Sequence, residues 1–344
     1  MRIKPFGAAL AASLGLACQE PSSPPSPREL VYVTNEDSGT LSVISAESHE
    51  VLATIAVGKR PRGVRVGKDG LQVFVALSGS PKCPPWMSDE ECEKQVTDKT
   101  LDGIAVVDVA AGRVLQVLPG GSDPEQFDLS IDGKLLFVSN EDADVASVVD
   151  VEAGEVRKTL PVGREPEGVR TSPDGALVYV TGETDHDVTV ISTETLEVVA
   201  KIPVGNRPRD AAFTSDGKRA FVSSEIDGRV SVIDVPAHEV EATVALPEGS
   251  RSMGLAVSPD DRKLYVTNGR SKTVSVVDLE TLEVVGAVEV GERPWGIAIS
   301  SDGKRLYTAN GPGNDVSVVD TETLRVVARI PLGESPWGVA IGRD

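Results

Sequence analysis

One phrase returns along this chain about every 42 residues. It reads Gly-x-x-Pro-x-Gly-Val-x-x-Ser-x-Asp-Gly-x-x-Val-Tyr-Val-Thr-Asn, then a short acidic stretch, then Val-Ser-Val-Val-Asp. The Gly-x-x-Pro anchors begin at Gly58, Gly121, Gly163, Gly205, Gly291 and Gly333, with a degenerate copy at Gly249. Successive spacings are 63, 42, 42, 44, 42 and 42 residues. Strand-rich units repeating at about 40–45 residues are the signature of a β-propeller, in which no single unit can bury its own apolar surface.

The unit from Glu167 to Gly205 shows how a copy becomes a blade. Gly168–Ser172 reads as a short strand, and Pro173-Asp174-Gly175 as a tight turn in which Pro sets φ and Gly accepts a positive one. Leu177–Thr181 is a second strand, Gly182–His186 a polar connection, Asp187–Ser192 a third strand and Glu197–Val204 a fourth. β-Branched residues dominate, and no stretch has helical periodicity. Pairs such as Val198-Val199, Val276-Val277 and Val318-Val319 make strands apolar on both faces. Blades stacked face to face around an axis would bury both sides.

The strand count predicts how the ring closes. The segments 30–34, 41–45 and 51–57 supply only the second to fourth strands of a blade, and the missing first strand is found at the far end, Trp337–Ile341. The expected fold is therefore all-β: seven four-stranded antiparallel blades, closed by pairing the C-terminal strand with the three N-terminal ones. Residues 30–344 form this single ring, with an inserted loop at about 78–102.

The amino terminus reads as a targeting segment. Arg2 and Lys4 precede an uncharged run, Pro5–Ala17, too short to span a bilayer. Cys18 follows at once, then a Pro/Ser-rich tether to residue 29. This resembles a bacterial lipoprotein signal over residues 1–17, which implies Cys18 as the lipidated residue. Here Gly15 stands where such signals usually place Leu, and Gly15-Leu16-Ala17 also fits ordinary secretory cleavage. Among lipoproteins Gln19 would favour the outer membrane. The chain is expected to be exported and lipid-anchored at the cell envelope, or else soluble in the periplasm or secreted. In an exported protein, Cys83 and Cys92 read most simply as a disulfide closing a short loop, worth about 2–3 kcal/mol. The chain carries a net charge of −19, and loss of Arg2 and Lys4 would make it −21. Such a surface repels phosphate backbones, so nucleic acid is not an expected partner.

Tyr32-Val-Thr-Asn35 and Tyr265-Val-Thr-Asn268 are complete copies of the motif that defines YVTN β-propeller repeats. Phe137-Val-Ser-Asn140, Tyr179-Val-Thr-Gly182, Phe221-Val-Ser-Ser224 and Tyr307-Thr-Ala-Asn310 are variants. Over residues 30–344 the chain resembles that family of seven-bladed surface-layer and periplasmic propellers, and more distantly the lactonase-like propellers. The resemblance implies a fold and a compartment and little about activity.

A ligand site is expected around the channel mouth, where the fourth-to-first and second-to-third strand connections open together. The residue after each anchor Pro position reads Arg62, Glu125, Glu167, Arg209, Met253, Trp295 and Trp337 around the ring. The residue before it gives Arg60, Arg207, Arg251 and Arg293. Arginines beside two tryptophans could hold an anionic or sugar-like ligand by forked hydrogen bonds and stacking. The bland alternative has the tryptophans wedged between blades and the arginines paired with Glu125, Glu167, Glu292 and Glu334.

The second set of loops is acidic, with Asp185, His186 and Asp187 the nearest approach to a metal set. No loop has the spacing of a dedicated calcium site, and one His cannot build a conventional zinc or copper centre. No cofactor is expected. The inserted loop, carrying Cys83, Trp86, Met87 and Cys92, suits either a protein partner or a lid over the mouth. No hydrolase elbow, phosphate loop or zinc-protease motif occurs. The expected function is that of a monomeric, extracytoplasmic binding or interaction module, for a protein or small molecule. The alternatives are a lactonase-like hydrolase or oxidoreductase using the same face, and a purely structural envelope protein.

Overall fold

The computed structural model describes residues 28–343, except 83–86, 89, 92 and 93, together with Met1. The expected signal segment, most of the tether, Cys18 and both loop cysteines lie outside the described residues.

The tandem copies fold into seven four-stranded antiparallel sheets. Blade 1 orders its strands Pro336–Arg343, Glu29–Asn35, Thr40–Ser45 and Val51–Ala56 from the axis outward. Blades 2 to 7 begin at the inner strands Val64–Val66, Pro124–Leu129, Pro166–Thr171, Pro208–Phe213, Ser252–Val257 and Pro294–Ile299. The tail strand pairs with the head strand over almost its whole length, from Glu29↔Arg343 to Asn35↔Pro336. Closure thus occurs as the strand count predicts, and it covers two sheet edges. The insertion lies between Leu77 and Gly103 of blade 2 and contributes a short 3-10 turn, Lys99–Leu101.

The apolar strands are explained by what each face meets. Tyr32 of the head strand packs with Val73 and Val75 of blade 2, whereas its neighbours Val31 and Val33 pack with Tyr307 and Val316 of blade 7. Seven such clusters sit between successive blades, so the core is itself a ring. The outer strands meet water, and there Val199, Val285 and Val327 are about half exposed.

Close to the axis the blades crowd. A Cβ on Gly168 would lie 2.4 Å from the Arg209 carbonyl oxygen, and one on Gly338 would lie 2.5 Å from that of Arg62. The Thr of the repeated motif stitches this contact. Thr34 accepts from the Gly338 amide at 2.9 Å and donates to the Arg62 carbonyl at 2.7 Å. Thr267 does the same between Gly254 and Trp295, at 2.8 Å on each side. The Asn of the motif instead ties its own blade, Asn35 and Asn268 donating to Ser42 and Ser275.

Candidate functional site

The stitched carbonyls fix where the rim residues stand. The first tier comprises Arg62, Glu125, Glu167, Arg209, Met253, Trp295 and Trp337, one from the start of each blade's inner strand or, for Arg62, just before it. The second tier is the residue following each second strand: Glu36, Ser78, Glu141, Glu183, Glu225, Gly269 and Gly311. The residues before the anchor Pro position, Arg60, Asp123, Glu165, Arg207, Arg251, Arg293 and Ser335, all hold φ between 44° and 60°. Seven non-glycine residues in this sparsely populated region show that the turn is enforced by the ring around it.

Over blades 1 to 5 the tiers interlock as ion pairs. Arg62 contacts Glu125 and reaches Asp123 at 2.6 Å and Glu141 at 3.6 Å. Arg209 contacts Glu167 and reaches Glu183 at 2.6 Å and Glu225 at 2.7 Å. Arg60 holds Glu36 at 3.0 Å and two loop carbonyls, and Arg207 holds Glu183. Both inner arginines are buried, so neither charge is tolerable without these partners. Burial works against their ionisation, but the surrounding carboxylates outweigh it and raise both pKa values.

The carboxylates outnumber the cations, and this has its own consequence. Burial, with Glu141 and Glu167 close by, pushes the Glu125 carboxyl well above the usual range despite Arg62. Glu167 is raised in the same way by burial and by Glu183, against Arg209. In each case the other carboxyl of the blade, Glu141 or Glu183, adds to the upward shift, because two carboxylates side by side disfavour a second negative charge.

The inner strands of blades 6, 7 and 1 make a different arc. Trp295 of blade 7 and Trp337 of blade 1 stack with centroids 5.5 Å apart and planes 23° from parallel, the Trp337 side chain being buried. The guanidiniums of Arg293 and Arg209 lie over the Trp295 ring at 5.1 and 5.5 Å. Met253 is buried beside Gly269. Of the acids expected to pair with arginine, Glu125 and Glu167 do so, whereas Glu292 takes Lys272 at 2.7 Å.

The histidine loop does not converge. Asp185 binds Arg164 at 2.7 Å, Asp187 faces Lys201 at 3.7 Å, and the His186 ring meets the Glu183 carbonyl. Among the described residues no three His, Cys, Asp or Glu side chains gather as a metal site. The described part of the insertion closes a cleft of about 360 Å³ with Glu36, Asp37, Arg60 and Lys82. Met87 accepts from Gln95 there; Trp86 lies outside the described residues.

Sequence reasoning missed a second charged layer deeper on the channel wall. Arg65 pairs with Asp128 and Arg170 with Asp210, each at 3.1 Å. Asp128 also accepts from the Thr171 amide at 2.9 Å, and Asp210 from the Leu255 amide at 3.1 Å. The pairs therefore lace blades 2 to 6. The available signal was a charge set amid small and apolar residues, as in Val64-Arg65-Val66.

The sequence profile of the family described as "Lactonase, 7-bladed beta-propeller" matches residues 192–326, less than half of the chain. That stretch carries Arg207, Arg209, Arg251, Met253, Arg293 and Trp295 of the rim. Similar solved structures include the hydrazine synthase of Kuenenia stuttgartiensis, with 21% identity, a TM-score of 0.70, and coverage of 83% of this chain and 95% of that one. A functionally unknown protein of Desulfotomaculum acetoxidans has 17% identity and a TM-score of 0.74, over 91% of this chain and 98% of its own. A proposed 6-phosphogluconolactonase of Bacteroides fragilis has 19% identity and a TM-score of 0.73, over 94% and 100%. At these identities the likeness establishes the fold alone. No curated protein matches the chain.

Proposed function

We propose that this propeller is an extracytoplasmic binding module of the YVTN type, with a small-molecule site at the channel mouth. One observation carries the reading: the rim divides into an ion-paired arc, whose inner arginines are saturated, and a tryptophan arc lined by Gly269 and Gly311. The first arc rigidifies the ring. The second offers aromatic surface, backbone and arginine in a small space, the composition that suits a sugar-like ring. The test is a thermal-shift panel of sugars, sugar acids, lactones and metal ions on residues 28–344. A saturable shift lost in Trp295→Ala supports the site, and no shift with any compound refutes it in favour of a protein partner. The uncharged run Pro5–Ala17 with Cys18 directly after it supports the compartment part of the reading. Expressed in a Gram-negative host, the full chain should fractionate with membranes and Cys18→Ala should release it; cytosolic, unprocessed protein would refute export.

A second reading is lactonase-like hydrolysis at the same mouth. The family match over 192–326 and the proposed 6-phosphogluconolactonase relative favour it, as does Glu167, a carboxyl whose pKa burial raises beside Arg209. Turnover of 6-phosphogluconolactone, abolished by Glu167→Gln in a protein that still melts cooperatively, would support this reading. Absence of turnover with a panel of lactones would exclude it.

A further inference from the structure

The repeat contains its own control experiment. The arginine before the anchor Pro is held by the second-tier glutamate 24 residues earlier: Arg60 by Glu36 and Arg207 by Glu183. Arg293 occupies the same place in its blade, but the residue 24 positions earlier is Gly269. The corresponding acid for Arg251 is Glu225, which is held by Arg209 at 2.7 and 2.8 Å. Among the described residues, neither Arg251 nor Arg293 has a carboxylate partner. Arg293 is exposed, and its guanidinium lies over Trp295. Gly269 stands between the two: a Cβ added there would meet Met253 Cγ at 3.4 Å, the Arg251 carbonyl oxygen at 3.7 Å and Arg293 Cγ at 3.7 Å. These are ordinary contacts, so the fold has room for a side chain at this point. Blades 6 and 7, which have glycine in place of the acid, present Met253 and Trp295, and Trp337 of the neighbouring blade 1 stacks on Trp295.

Resting on the small-molecule reading of the mouth, we propose that Arg293 and Arg251, flanking Gly269, receive the oxyanion of a ligand whose ring lies beside the Trp295–Trp337 arc. The ligand's carboxylate or phosphate takes the part that Glu36 plays for Arg60. A planar guanidinium fork matches either group through two parallel hydrogen bonds. The ligand class is therefore an acidic sugar or a sugar phosphate, and the acid-rich remainder of the rim excludes such anions from every other arc.

Three probes test this by calorimetry at low salt: glucuronate, glucose 6-phosphate and glucose. At least one anion should bind saturably, about tenfold or more tighter than glucose, and which anion does so separates carboxylate from phosphate. Arg293→Ala should weaken that binding about tenfold. Gly269→Glu should abolish it while raising the melting midpoint by about 1–2 °C, since the new carboxylate restores the pairing of the other blades. Equal binding of glucose and the anions, lost in Trp295→Ala but unchanged in Arg293→Ala, would overturn the oxyanion site and leave the mouth reading standing. Failure of both anions to bind, or anion binding that survives Gly269→Glu, would also overturn it. The mouth reading itself falls only if the wider panel of compounds gives no shift.

Discussion

Replacing Thr34 by Val isolates the hydroxyl that stitches the closing blade to its neighbour. Valine has nearly the same shape, so the wholly buried site is neither emptied nor crowded. The change strands the Gly338 amide and the Arg62 carbonyl, which the hydroxyl serves at 2.9 and 2.7 Å. A buried polar group left without a partner costs about 1–3 kcal/mol, so two cost about 2–6 kcal/mol. For a ring of this size about 2 °C accompanies each kcal/mol, placing the fall in midpoint at roughly 4–12 °C. Urea unfolding at unchanged slope gives the free energy directly. The repeat supplies the comparisons. Thr267→Val removes the same pair of bonds between Gly254 and Trp295 and should cost the same. Thr181 accepts from the Gly168 amide at 2.8 Å but, among the described residues, donates to no neighbouring blade, so Thr181→Val should cost about half as much. If Thr34→Val and Thr267→Val lie within about 0.5 kcal/mol of the parent, or if Thr181→Val matches them, the stitch does not hold the blades together.

Removing residues 336–344 deletes the inner strand of blade 1 and exposes the head-strand edge. Calorimetry should show the cooperative transition lost or the protein aggregated, and a sharp transition near the parental midpoint would contradict closure by the tail. Arg62→Met leaves Asp123 and Glu125 without their buried cation and should cost about 3–5 kcal/mol, measured by urea titration; a loss under about 1 kcal/mol would show the pair to be dispensable. Glu167→Gln imitates the protonated carboxyl. Because the folded pKa of Glu167 is raised, its contribution is fully present below the ordinary value near pH 4 and is lost as pH rises through the folded value. The variant should therefore equal the parent at about pH 4 and gain on it towards about pH 9; a gap that is flat or reversed in melting curves would refute the raised pKa.

The ring was legible because its information is periodic. The offset of the first copy, which lacks an inner strand, foretells Trp337–Ile341 as the closing segment. The rim tier was legible for the same reason, since one position per repeat must face the axis. Partnerships across blades were not. Arg62 chooses Asp123 and Arg209 chooses Glu183 because of the register between neighbouring sheets, which no local pattern encodes. The stacking of Trp295 on Trp337 depends on the same register. The Arg65–Asp128 and Arg170–Asp210 layer was hidden because charges within a strand read as solvent-facing until the strand is known to line a channel. In the repeated motif, Thr reads as a strand former, and its role as a bridge appears only when the next blade is in place.

The pairing of Glu29 with Arg343 brings both ends of the described chain to one pole of the disc, while Glu36 and Trp337 lie at the other. Whatever is joined to either terminus therefore hangs from the underside. A lipid at Cys18 would leave the tryptophan pole turned away from the bilayer, towards diffusing solutes. A probe or solid support attached at either end would leave that pole equally unobstructed.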